Sequence, residues 1–177
     1  MITVVGVKHT EALNKQLRRL ILNVKPDVIC VELDTFRCRL LRGEVSEEEL
    51  RFYKGKLPCI YKVMSLFKYK SQVKSCVKRE WDVETVLEAA EEINAEVIPI
   101  DMDQVLVYKK IEENIPLKEK VRLVLSLFRK LDFYEEHGRE EYKEEFSKNF
   151  PTLKRWLIDE RDRFMAEKIK RLSQEYE

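Results

Sequence analysis

Glycine is scarce in this chain: four residues in 177, at positions 6, 43, 55 and 138. Loops that cradle phosphate need bare backbone at fixed spacing, and neither G-x-G-x-x-G nor the P-loop pattern occurs. Histidine is scarcer, with only His9 and His137. No H-E-x-x-H is present, and His137 in Glu135-Glu136-His137-Gly138 reads as a turn residue. No G-x-S-x-G occurs and no serine or cysteine has a histidine partner in sequence, which argues against covalent nucleophilic catalysis. The four cysteines, Cys30, Cys38, Cys59 and Cys76, form no C-x-x-C pair, so a zinc knuckle or a thioredoxin motif is not expected. No apolar stretch reaches the roughly 18 residues needed to span a bilayer. Neither charge sign dominates: 34 Lys and Arg face 33 Asp and Glu, for a net charge of +1. That balance argues against nucleic acid as a partner. Gln (four) and Asn (five) are few against abundant Lys and Glu, a thermophile-like composition.

What is present is a core and a rhythm. Hydrophobic residues make up 44% of the chain and charged residues 38%, the latter well above the usual quarter. Met1 leads straight into an apolar run with no signal peptide, so a cytoplasmic protein with reduced thiols is the expectation.

Ile2-Thr3-Val4-Val5 reads as a buried strand over 2–6. Thr10 to Val24 reads as a helix, with Leu13, Leu17, Leu20 and Ile21 at spacings of three and four. Pro26-Asp27 stops it. Val28-Ile29-Cys30-Val31 is continuously apolar, as a central parallel strand should be, and the strand is expected over 27–33. Cys30 within it reads as a small buried hydrophobe. Short helices follow near Arg37 to Leu41, at 47–56 and at 60–78. Val83, Val86, Leu87, Ala90 and Ile93 give a helix over 82–93. Val97-Ile98-Pro99-Ile100 predicts a third strand over 96–101, and Pro99, without an N–H, fits its edge or end. From 104 to the end the pattern is helical, broken at Pro116, Pro151 and His137-Gly138. The expectation is an α/β fold: one domain over 1–177, a small mostly parallel sheet covered by helices, and an all-helical C-terminal half over 104–177 within the same domain.

Residues 51–79 hold nine Lys or Arg, no acid, and interleaved aromatics from Phe52 to Tyr69. Such a block either contacts an anionic surface or forms a solvated face opposed by acidic helices.

All three expected strands end in an ionisable group: His9 beyond the first, Glu32 at the second, Asp101 at the third. Parallel strands about 4.8 Å apart bring such ends to one edge. An imidazole with two carboxylates suits a borderline divalent metal, Mn, Co or Zn. A histidine just before a helix is also favoured in its neutral, ligating form. The alternative is that each is a loop residue or a cap. In the last helix, Trp156, Leu157, Phe164, Met165, Ile169 and Leu172 define an apolar stripe at about 100° per residue. Glu160 and Arg161 fall inside it and Asp162 at its margin. Charges aimed at a core need partners, which points to a polar site or to a bridge such as Glu160–Arg37, with Arg39 as another candidate partner.

These motifs resemble the TraB/PrgY family, which is related to Tiki-type metalloproteases and includes regulators of peptide pheromone shutdown. Gly6-x-x-His9 resembles its G-T-A-H turn, and Pro26 to Asp34 with Arg37 its P-D-V-V-x-V-E-L-x-x-x-R segment. Ala89-Ala90 to Asp101 resembles its E-A-to-D stretch. Glu160-Arg161-Asp162 with Met165-Ala166 resembles its E-R-D-x-x-M-A helix. The resemblance implies a metal-dependent peptidase-type hydrolase: His9, Glu32 and Asp101 toward the metal, Glu160 as general base or ligand, Arg37 and Arg161 holding charge. It implies a divalent metal, no organic cofactor, and a peptide or protein substrate. The family also carries a second G-x-x-H after the E-R-D helix, an arginine where Met102 stands, and a glycine where Trp81 stands. Without a last strand the sheet keeps an open edge, for which a homo-oligomer is a remedy. A non-catalytic peptide- or anion-binding module on the same scaffold is the alternative function.

Overall fold

Two helices end by the same device, and each delivers the chain into a strand. Helix α1 (Glu11–Val24) stops at Lys25, whose φ of 47° is left-handed and whose N–H bonds the Ile21 carbonyl at 2.8 Å. Helix α5 (Trp81–Ile93) stops at Asn94, φ 56°, with Asn94 N bonding Glu91 O at 3.2 Å and Ala95 N bonding Ala90 O at 2.8 Å. The second set is a Schellman motif and the first its single-bond form. Pro26 prevents α1 from continuing. Strands β1 (Val28–Val31) and β2 (Glu96–Pro99) follow and pair in parallel, Val28 opposite Glu96 and Val31 opposite Pro99.

The computed structural model describes residues 2–6, 11–66, 81–128 and 144–176. His9, Cys76, His137 and the basic run 67–79 lie outside them. Among the described residues the sheet has two strands of the three expected, and both are shorter than the ranges read from sequence. Residues 2–6 are exposed and carry no strand pairing, with Val4 90% exposed. The remaining elements are helices: α2 (Thr35–Leu41), α3 (Glu47–Lys56), α4 (59–66), α6 (Gln104–Asn114), α7 (Leu117–Phe128), α8 (144–149), α9 (Pro151–Lys154), a π turn (Arg155–Asp159) and α10 (Glu160–Glu175).

The chain divides into two compact units. The first holds Met1–Val45, Ser75–Asp101 and Met165–Glu177. Its core joins Leu17 and Ile21 of α1, Val86, Ala89 and Ala90 of α5, and the Ile29, Val31 and Val97 side of the sheet. Side chains alternate along a strand, so α1 and α5 cover one and the same sheet face. Cys30 belongs to the opposite parity and is exposed. The expectation that it is buried is therefore corrected: an apolar run predicts burial on both faces, and here one face is packed.

The second unit holds Ser46–Lys74 and Met102–Phe164. Its core centres on Ile111 and Leu153, both at 0% exposure, with Tyr108 against Tyr61 edge to face at 5.0 Å. The helix that begins at Pro151 has Phe150 at its N-cap, which offers no side-chain acceptor. Glu119 of α7 supplies one: its Oε1 accepts from Thr152 N at 3.2 Å and from Thr152 Oγ1 at 2.9 Å. A helix start with no side-chain acceptor at its N-cap gains a partner for an orphaned donor in this way.

Candidate functional site

Both strands run out into an acid-x-acid sequence: Glu32-Leu33-Asp34 after β1 and Asp101-Met102-Asp103 after β2. In each case the second acid is spent as a helix cap. Asp34 Oδ1 accepts from Arg37 N at 2.8 Å at the start of α2, and Asp103 Oδ1 accepts from Leu106 N at 3.1 Å at the start of α6. An aspartate in extended backbone before a helix satisfies an otherwise orphaned donor. The first acid of each pair is left at the end of its strand.

The parallel pairing carries past the strands proper. Ile100 N donates to Val31 O and Asp101 N to Leu33 O, each at 3.0 Å. Asp101 thus lies beside Leu33, the neighbour of Glu32. The two carboxylates differ in setting: Asp101 is 8% exposed, whereas Glu32 is exposed. A buried and a solvent-facing carboxylate at one sheet edge are oxygen donors suited to a divalent cation. Among the described residues, no three His, Cys, Asp or Glu side chains are grouped closely enough to hold a metal ion. The third ligand expected from sequence, His9, is outside those residues. Arg37 is half-buried in the first turn of α2.

Glu160 and Arg161 belong to the second unit, and their surroundings differ from the expected ones. Glu160 Oε1 accepts from Arg155 Nε at 3.1 Å and Oε2 from Arg163 at 2.9 Å. Its partners are neighbours along its own helix, which replaces the anticipated Glu160–Arg37 bridge. Arg161 donates to the Leu157 carbonyl at 3.0 Å. The π turn explains the difference. Rotation at about 100° per residue holds for an α-helix, and the wider turn at Arg155–Asp159 breaks that count just before Glu160. Its i→i+5 geometry also makes Lys154–Asp159 and Arg155–Glu160, each five residues apart, into ion pairs. Asp162 is exposed, and no residue of α10 is fully buried.

The sequence reading missed how the outer edge of β2 is closed. Glu96 N bonds Asp27 O and Ile100 N bonds Val31 O, so residues 96, 98 and 100 face β1 while 97 and 99 face outward. The Val97 carbonyl accepts from Arg42 at 3.2 Å and the Pro99 carbonyl from Lys168 Nζ at 2.8 Å. Proline at 99 removes the outward N–H. By the same parity Val28 and Cys30 turn their backbone groups away from β2, and no described strand lies on that side. Pro99 was the one signal in the sequence, since the side chains that close this edge come from 55 residues before Val97 and 69 after Pro99.

Two thiols are perturbed. Burial pushes Cys38 up, Arg42 opposing and Glu44 and Asp34 reinforcing. Cys30 is exposed as a residue, yet its sulfur is desolvated enough to raise the thiol, with Lys168 opposing. Neither is a ready nucleophile at neutral pH. No described helix is long and apolar enough to cross a membrane. Comparisons with protein-family models, curated proteins and solved structures give no match to this chain.

Proposed function

We propose that this chain is a TraB/PrgY-like protein with a metal-dependent peptidase-type site at the C-terminal edge of its sheet. His9, Glu32 and Asp101 hold the metal, which is Mn, Co or Zn given one imidazole and two carboxylates. The observation that carries the reading is the shared edge: Asp101 hydrogen-bonded through its backbone beside the residue that follows Glu32.

The reading requires residues 2–6, exposed and unpaired in this structure, to add to the sheet as a third strand. Helices α1 and α5 cover one face, and crossover connections between parallel strands are right-handed. A right-handed passage from 2–6 through α1 to β1 on that face lays residues 2–6 along the outer edge of β1. That edge has no described strand, whereas the outer edge of β2 is closed. His9, which follows that strand in sequence, would then come to the sheet end where Glu32 and Asp101 lie. A bound divalent metal supplies a polarised carbonyl and a water of lowered pKa. Asp101, being buried, fixes the ligand geometry. Arg37, in the first turn of α2, receives developing negative charge. The resemblance assigns Glu160 the role of general base or ligand and Arg161 that of holding charge.

Isothermal titration with MnCl2, CoCl2 and ZnCl2 tests the site. One metal per chain is expected, with affinity reduced at least tenfold in His9→Ala and Glu32→Gln, as removal of a ligand requires. Unchanged affinity in His9→Ala sinks the reading. A non-catalytic peptide- or anion-binding module is the second reading, and the engagement of both Glu160 oxygens favours it. Metal-loaded protein that retains peptides uncleaved supports that module. Metal-dependent cleavage abolished by Glu32→Gln removes it.

A further inference from the structure

Helix α7 carries apolar residues on two sides. Leu123 is in the core of the second unit at 4% exposure. Leu117, Val121, Val124 and Leu125 are 75, 50, 45 and 58% exposed. At about 100° per residue these four fall within one stripe turned away from Leu123. Lys118 and Lys120, both exposed, lie one on each side of the stripe, and Arg122 lies beyond Lys118. The helix has a single acid, Glu119, and it is 5% exposed and turned inward onto Thr152. The outward side of α7 therefore presents apolar side chains framed by cations and no carboxylate of its own.

We propose that this face of α7 is a docking surface for an anionic lipid bilayer. Three arguments select that occupant. An exposed apolar stripe of this kind marks an interaction site rather than ordinary surface. Self-association is disfavoured by size: a stable interface takes about 800 Å² and 20–30 residues from each partner, far more than four side chains of one helix. A peptide helix binds in a groove between elements, whereas the four apolar residues named here lie along a single helix, an arrangement suited to a bilayer interface. The lysines supply the charge match. Their stems extend from the edges of the stripe and place ammonium groups at headgroup level while the apolar residues enter the acyl boundary. The proposal uses no residue of the proposed metal site and none of the basic block at 51–79.

Co-sedimentation of the full chain with vesicles tests the proposal. Vesicles of phosphatidylcholine alone are compared with vesicles containing phosphatidylserine, at low and high salt. Binding to the anionic vesicles is expected, weakened by salt. Lys118→Glu and Lys120→Glu should each weaken it by at least about fivefold, the value of one cation near an anionic leaflet. Val124→Asp with Leu125→Asp should abolish it, and the milder Leu125→Gln should weaken it with the circular dichroism spectrum unchanged. Equal binding to neutral vesicles, or no loss in either α7 apolar variant, overturns the proposal. So does a concentration-dependent dimer, seen by light scattering, that those variants dissociate.

Discussion

The Lys168 ammonium donates to the Pro99 carbonyl at 2.8 Å, on the outer edge of β2. Together with the Arg42 bond to Val97, it satisfies backbone acceptors that an edge strand would offer to another chain. It also ties the C-terminal part of α10 to the sheet of its own unit. Lys168→Met keeps most of the apolar stem and removes the donor. Hydrogen bonds from charged groups are worth up to about 3 kcal/mol, and Lys168 is half-buried, so a loss near 1 kcal/mol is expected. Urea denaturation measures it; an unchanged midpoint would show that water replaces the bond at no cost.

Lys25 holds a left-handed conformation at a φ of 47°. That region costs an L-residue about 1–2 kcal/mol, and glycine adopts it freely at some cost in unfolded-chain entropy. Lys25→Gly is expected to stabilise the protein by about 0.5–1 kcal/mol. Asn94→Gly should gain less, because asparagine tolerates the region better. Thermal melts of the two variants check the order.

Glu119 is 5% exposed, with Oε1 bonded to Thr152 and Oε2 buried with no hydrogen-bond partner among the described residues. Glu119→Ala removes the one side chain that, among the described residues, caps the helix that begins at Pro151. A loss of about 2 kcal/mol is expected, at the upper end for a cap. Glu119→Gln keeps an acceptor for Thr152 and should cost less than half as much. Hydrogen exchange would localise the loss to the first turn after Pro151. Equal losses for the two variants would show that the negative charge, and not the acceptor, matters there.

The elements that formed where the spacing placed them are those whose stability is local. Leu17 and Ile21, or Val86 and Ala90, lie on one helical face whatever the rest of the chain does, and the breaks at Pro26 and Pro151 are steric. The apolar centres of β1 and β2 were legible too, although the strands stop at Val31 and Pro99, so that Glu32 and Asp101 lie one and two residues beyond them. What sequence could not give depends on distant partners or on an uneven helix. Cys30 reads like its apolar neighbours, and only the one-sided packing of α1 and α5 leaves its residue exposed. Glu160 and Arg161 kept their helix but not their expected surroundings, because a single π turn shifted the rotation on which the stripe had been drawn. Nothing in a phenylalanine before a proline names Glu119 as the cap. The missing acceptor at Phe150 signals only that some residue must serve.

Cys38 is buried and its thiol is raised by that burial. The folded state then holds the proton more tightly than the unfolded chain does. Stability is full below the unfolded thiol's range near pH 8.5, falls as pH rises through it, and levels off above the higher folded value. Urea titrations at pH 7.5 and 9.5 should show this decline in the wild type and a smaller one in Cys38→Ala. Peptide-level mass spectrometry after iodoacetamide should find Cys59 and Cys30 labelled in the native protein, both being exposed, and Cys38 labelled only on unfolding. Labelling of Cys30 should accelerate as pH rises and lag that of Cys59, because burial of its sulfur raises the thiol. Rapid native labelling of Cys38 would contradict its burial.

Arg161 donates to the Leu157 carbonyl at 3.0 Å, within the π turn that precedes it. A π turn replaces the regular i→i+4 bonding, and a guanidinium of the same helix here satisfies one of its carbonyls. The resemblance gives this arginine a charge-holding role at a site, while the observed bond gives it a role in the helix. The two separate in Arg161→Gln, which keeps an N–H donor on a shorter side chain without charge. If the role is local, stability falls by about 1 kcal/mol, and metal affinity and any peptide turnover remain at wild-type level. If the role is at the site, stability changes little and turnover falls at least a hundredfold with KM little altered, the pattern of an interaction made only in the transition state. The bond to Leu157 favours the first outcome. Arg161→Lys sharpens the test, since it retains the charge but loses the fork of donors: it should preserve turnover under the local role and fail to restore it under the catalytic one.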